Sequence, residues 1–161
     1  QIGLVRDPYN FGTTTISTAT TLRAVKAIKL ASGAGTFQAD EKITQATTGA
    51  IGKVVEYDST NRILYYQQEK FADFGVASDG DKIAFSGTNT ITGATSSATG
   101  APDDGADSAV SLTGGNTITF TNGFANEEIE PDSGDLMYFE TRRPISRATD
   151  QTEDIKLIIE F

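Results

Sequence analysis

Apolar and polar residues alternate in short runs along the whole chain, and Gly, Asn, Asp and Ser separate the runs. That is the pattern of an all-β protein, because alternation at period two gives a strand one buried face and one wet face. It predicts strands over residues 2–5, 24–30, 52–57, 63–68, 82–85, 90–92, 117–121, 135–140 and 155–160. Val54-Val55-Glu56-Tyr57 and Ile63-Leu64-Tyr65-Tyr66 flank Asp58-Ser59-Thr60-Asn61. Those four residues hydrogen-bond their own backbone and suit a four-residue hairpin loop. Asn122-Gly123 follows Ile118-Thr119-Phe120 and reads as a turn, since both residues tolerate positive φ. In the last run Ile155, Leu157, Ile159 and Phe161 share one face.

One segment reads two ways. Residues 17–30 fit a helix capped by Ser17 or Thr18 and stopped by Gly33, and they also fit a strand with Leu22, Ala24, Ile28 and Leu30 on one side. The strand is favoured for the second half. The pattern Ile-Thr-x-Ala-Thr-x-x-Ala-x-Gly occurs at 43–52 and again at 91–100. It describes a strand end followed by a small-residue turn. The two copies are either two similar corners of one barrel or a coincidence in a Thr-, Ala- and Gly-rich chain; two are too few for a solenoid. Residues 96–111 read as a long exposed loop.

Composition narrows the chemistry. The 161 residues contain 13 Lys plus Arg against 22 Asp plus Glu, a net charge of −9, with no Cys, His or Trp. The length fits one domain, or one domain carrying an insertion. Without Cys there are no disulfides, thiolate metal sites or Cys nucleophiles. Without His, Ser-His-Asp catalysis is excluded and the commonest general base is missing. The acidic balance argues against nucleic acid and anionic membranes as partners. No run approaches the roughly 18 apolar residues of a membrane span. No signal-peptide pattern is visible, and the chain opens inside a predicted strand, so a piece of a longer protein is expected.

The candidate sites have structural explanations. Asp103, Asp104 and Asp107 form a loose acidic loop without the closing Glu of a calcium loop. Asp79-Gly80-Asp81 fits a hairpin turn. Glu127, Glu128 and Glu130 could supply paired carboxylates for glycoside hydrolysis, yet their surroundings are too polar to raise a pKa. Phe37, Tyr57, Tyr65, Tyr66, Phe71, Phe74 and Phe85 could line a sugar-binding face but suit a β core better. Gly33-Ala34-Gly35 lacks the strand–turn–helix context of a phosphate loop. Arg142 and Arg143 precede Asp150, Glu153 and Asp154, which predicts a latch between Arg142 and one of those carboxylates. No catalytic, cofactor-binding or metal-binding residue is assigned, no cofactor is implied, and the expectation is that the protein is not an enzyme.

The C-terminal third carries a resemblance. Ser133-Gly134-Asp135-Leu136-Met137-Tyr138-Phe139-Glu140-Thr141-Arg142-Arg143-Pro144-Ile145, followed by Asp150-Gln151-Thr152-Glu153-Asp154-Ile155-Lys156, resembles the C-terminus of a phage protein family. This is the baseplate wedge protein, the product of gene eight, of T-even-like contractile-tailed phages. The family pattern is an acidic strand ending in Tyr-x-x-Asn-Arg, then Pro, then a Gln-(Thr/Lys)-Glu-(Asp/Glu) step into a final hydrophobic strand. The opening Gln1-Ile2-Gly3-Leu4-Val5-x-x-Pro8 is similar to the strand that precedes this block. Thr141 stands where the family has Asn, so a side-chain amide role is not carried over there. The middle is longer than in the T-even member and looks like the Thr/Gly-rich middle of cyanophage versions.

The resemblance implies a non-catalytic structural protein of the virion, assembled in the host cytoplasm. It also implies a homodimer contacting other baseplate wedge subunits. The expected architecture is all-β: residues 1–21 and 126–161 form a terminal sheet, and residues 22–125 form a small β-barrel or sandwich inserted into it. A carbohydrate- or receptor-binding tail module is the alternative.

Overall fold

The computed structural model describes residues 2–69, 75–105, 107–113 and 115–141. Among them are eleven strands and no helix: β1 (Ile2–Arg6), β2 (Lys26–Ala34), β3 (Lys42–Gln45), β4 (Ile51–Asp58), β5 (Ile63–Gln67), β6 (Ile91–Gly93), β7 (Thr99–Pro102), β8 (Ser108–Ser111), β9 (Thr117–Phe120), β10 (Phe124–Ala125) and β11 (Asp135–Glu140). Six of them close into an antiparallel barrel in the order β2-β5-β4-β3-β6-β7, with β7 returning to β2. β2 makes closure possible because it serves partners along its whole length. Lys26 to Lys29 pair with β5, and Leu30 to Ala34 pair with β7 across a register shift. At this seam Gly33 lies opposite Gly100. A side chain at Gly33 would run into the Thr99 carbonyl, and one at Gly100 would come within 2.6 Å of Leu30 Cδ1. The two strands approach closely because neither residue has a Cβ.

Inward residues fill the barrel: Ile28, Leu30, Ile43, Val54, Leu64 and Ile91, with edge-to-face ring pairs Phe37–Tyr57 and Tyr66–Phe85 at 5.3 and 4.9 Å. The outer face of β2 and β5 is covered as well. Ala27, Ile63 and Tyr65 pack under the β8–β9 hairpin through Ile118, Phe120, Val110 and Leu112. β10 adds to the edge of β2. Neighbours on opposite faces, such as Ile63 and Leu64, are therefore both fully buried. This explains why the β5 sequence is continuously apolar instead of alternating.

The all-β reading holds, but several local expectations need correction. Of the two readings of residues 17–30, the helix is absent and the strand favoured for the second half is β2. Residues 96–111 are not one long loop: they contain β7 and β8, whose small residues suit the seam and an edge hairpin. Residues 82–85 are not a ladder strand. The Ile83 backbone is satisfied outside a ladder, with the Gln68 side chain donating to its carbonyl at 2.8 Å and its N–H donating to the Gly75 carbonyl. Only the bridge from Val76 to Lys82 is sheet-like there, closed by the Asp79-Gly80 turn. The final run 155–160, the Arg142 latch, Phe71 and Phe74 lie outside the described residues.

The repeat has a structural meaning. Its copies are the β3–β4 and β6–β7 hairpins, adjacent in the barrel through β3 and β6. Ile43 faces Gly93, Thr44 faces Thr92 and Gln45 faces Ile91, a register symmetric about the Thr44–Thr92 pair. The bonds repeat too: Ala46 N–H reaches the Thr90 carbonyl and Ala94 N–H reaches the Lys42 carbonyl, both at 2.9 Å. A local two-fold axis thus relates the two corners.

Candidate interaction surface

The two ends of the described chain meet in a separate antiparallel ribbon. β1 pairs with β11 from Ile2 opposite Glu140 to Arg6 opposite Asp135, with a bulge between Leu4 and Val5. Arg6 Nη2 donates to Asp135 at 2.9 Å across its end. The barrel lies between these two strands in sequence.

Between ribbon and barrel, residues 8–17 form an arch held against residues 128–133. Phe11 N–H donates to the Glu128 carbonyl, Glu130 N–H to the Tyr9 carbonyl, and Gly12 N–H to the Glu130 carboxylate at 2.7 Å. Arg23 bolts the arch base to the barrel. Its guanidinium lies 3.6 Å from Glu128 and donates to the carbonyls of Val25 and Asn126, while its own N–H donates to Glu128 at 3.0 Å.

Exposure separates the two parts. Among the described residues eleven large hydrophobics are exposed, and nine of them lie on the ribbon and arch: Leu4, Val5, Tyr9, Phe11, Ile16, Leu136, Met137, Tyr138 and Phe139. The four consecutive residues of β11 are all more than half exposed. Successive residues of a strand point to opposite faces, so both faces of the ribbon carry exposed apolar side chains. Among the described side chains, none of the ribbon belongs to either buried cluster. The sequence located β11 correctly but did not show it as a surface. The available signal was the unbroken Leu-Met-Tyr-Phe run, too continuous for a strand with one wet face.

The other candidates are occupied structurally. Glu128 pairs with Arg23, Glu130 caps Gly12, and Glu127 lies 4.0 Å from Lys26 Nζ. Asp107 accepts the Asn122 N–H. Among the described residues no three Asp or Glu side chains gather into a metal-sized group. Gly33 is a seam residue. Phe37, Tyr57, Tyr66 and Phe85 sit in or against the barrel core. Tyr65 edges an open groove of about 490 Å³ with Glu56, Asp58 and Asn61. Burial, then the Asp58 charge, pushes its phenol above the ordinary value, so it stays an O–H donor. Asp58 and the Asn61 amide nitrogen are already bonded within the hairpin turn, and Tyr57, whose ring packs edge-to-face on Phe37, also lines the groove.

No protein-family model, curated protein or solved structure matches the chain.

Proposed function

We propose that the protein is a structural subunit of the baseplate wedge of a contractile phage tail, acting through protein–protein contacts. The observation that carries this reading is the apolar β1–β11 ribbon. An isolated two-stranded ribbon is marginal in water, and an uncovered apolar patch of this kind marks a contact surface. Its strands are also the segments that resemble the wedge family. The barrel, cored by its own residues, acts as a rigid body that the ribbon ties into the assembly.

Reconstitution with the other wedge proteins of such a phage tests the proposal. The native chain should enter the wedge complex, and a Leu136→Asp/Tyr138→Asp double variant should stay out while keeping its fold. Complete baseplates formed without this chain, or cryo-electron microscopy density for it outside the baseplate, would refute the assignment.

A further inference from the structure

Two partly buried tyrosines, Tyr57 and Tyr65, line the groove of about 490 Å³ between the β4–β5 turn and the tip of the β8–β9 hairpin. That volume lies within the roughly 300–1,000 Å³ of small-molecule sites. One wall is held from behind. Asp58 accepts the Thr60 and Asn61 N–H groups at 2.9 and 3.0 Å and the Asn61 amide at 2.7 Å, and Lys29 Nζ donates to the Asn61 carbonyl. The turn is therefore fixed before a ligand arrives, which lowers the ordering cost of binding.

The groups that the turn does not use select the ligand. The described lining holds Glu56 and Asp58 and no Lys or Arg, so an anion is disfavoured. The Glu56 carboxylate, the Asn61 amide oxygen and the hydroxyls of Ser59, Thr60, Tyr65 and Thr113 make no hydrogen bond among the described residues. Four of these six groups are hydroxyls, which donate as well as accept. An organic cation uses acceptors alone, whereas each hydroxyl of a sugar needs both. The two rings and Leu112 supply apolar surface for the C–H face of a pyranose.

We infer that this groove is a binding site for a neutral saccharide, with a pyranose packed on Tyr65 and hydrogen-bonded by Glu56, Asn61 and the neighbouring hydroxyls. The site belongs to the barrel and does not depend on the ribbon. The ribbon would engage protein while the barrel engages a glycan.

Titration of the full chain with neutral oligosaccharides of glucose, mannose, galactose and N-acetylglucosamine tests it. Tyrosine fluorescence reads binding cleanly because the chain has no Trp, and amide chemical shifts locate it. At least one oligosaccharide should bind saturably at millimolar concentration, with shifts centred on residues 56–65 and 112–113. Thr113→Trp should fill the groove from the hairpin tip and weaken binding about tenfold or more, and Glu56→Ala should weaken it about fivefold. Both positions are exposed, so both variants should melt with the native chain. Binding of none of the oligosaccharides would overturn the inference. Binding of spermine in their place would overturn it in favour of an organic cation, and equally tight binding of oligogalacturonate would overturn the charge selection. Oligosaccharide binding that survives Thr113→Trp would place the site elsewhere and overturn it as well. None of these failures touches the ribbon, whose contact is read by Leu136 and Tyr138.

Discussion

Glu41 shows how one residue can hold a turn that is distant in sequence. It is buried, and its carboxylate accepts the N–H groups of Thr95 and Ser96 at 3.0 and 2.9 Å, the Ser96 hydroxyl at 2.7 Å and the Gln38 N–H at 2.7 Å. Burial raises its pKa, but the bonds from Ser96, Gln38 and Thr95 outweigh that and leave it below the ordinary 4.5. A depressed folded-state pKa gives stability that is present above the unfolded value and lost as pH falls through the folded one. Melting temperature should therefore drop on acidification below about pH 4.5, and more gently in Glu41→Gln. That variant should also cost about 2 kcal/mol at neutral pH, because buried donors lose a charged acceptor. Gly33 is the sharper case. Any side chain there meets backbone across the β2–β7 seam, so Gly33→Ala should cost about 3 kcal/mol in denaturant titration. Glu41's partners Thr95 and Ser96 could not be read from sequence, because they lie more than fifty positions away. The Asp58 turn was legible because its bonds span only two or three residues.

Strands rich in bulky apolar residues were legible: β5, β9 and β11 fall where the sequence places them. β3, β7 and β8 were not, since Lys-Ile-Thr-Gln, Thr-Gly-Ala-Pro and Ser-Ala-Val-Ser carry little hydrophobic contrast. β7 is a strand because β2 and β6 lie on either side of it, not because of its own propensity. The repeat was the one sequence signal that bore on β7, since it marked 91–100, like 43–52, as a strand end followed by a small-residue turn. The same symmetry yields a test. Gly49 and Ser97 occupy equivalent turn positions and both have positive φ, at 73° and 57°. The left-handed conformation costs a Ser about 1 kcal/mol more than a Gly. Ser97→Gly should therefore stabilise the protein by about 0.5 kcal/mol, and Gly49→Ser should destabilise it. The Gly49 change is clean because nothing lies within 4 Å of the added Cβ. Opposite shifts in the denaturation midpoint would establish that the corners are equivalent, and shifts of the same sign would show that their resemblance ends at the hydrogen bonds.

At the scale of the molecule, the barrel and the β8–β9 hairpin packed on it hold both buried clusters, and the described ribbon side chains are apolar without adding to either. Stability and the proposed contact function are thus carried by different residues, which makes them separable by mutation. Arg23 sits between the two parts, largely buried beside Glu128, so Arg23→Ala leaves that carboxylate without its cation and should cost about 3 kcal/mol. Tyr138 is the opposite case. Its ring is half exposed and touches neither cluster, so Tyr138→Asp should change barrel stability by no more than about 0.5 kcal/mol. It should still reduce binding of a hydrophobic dye to the native protein, because it interrupts the exposed Leu-Met-Tyr-Phe run. The pairing with Leu4 across the ribbon makes the second readout specific: Leu4→Asp should have the same effect on dye binding and the same neutrality on stability. If either substitution lowered the barrel's melting temperature by several degrees, the ribbon would be part of the folding unit, and its exposure would have a structural role in place of a recruiting one.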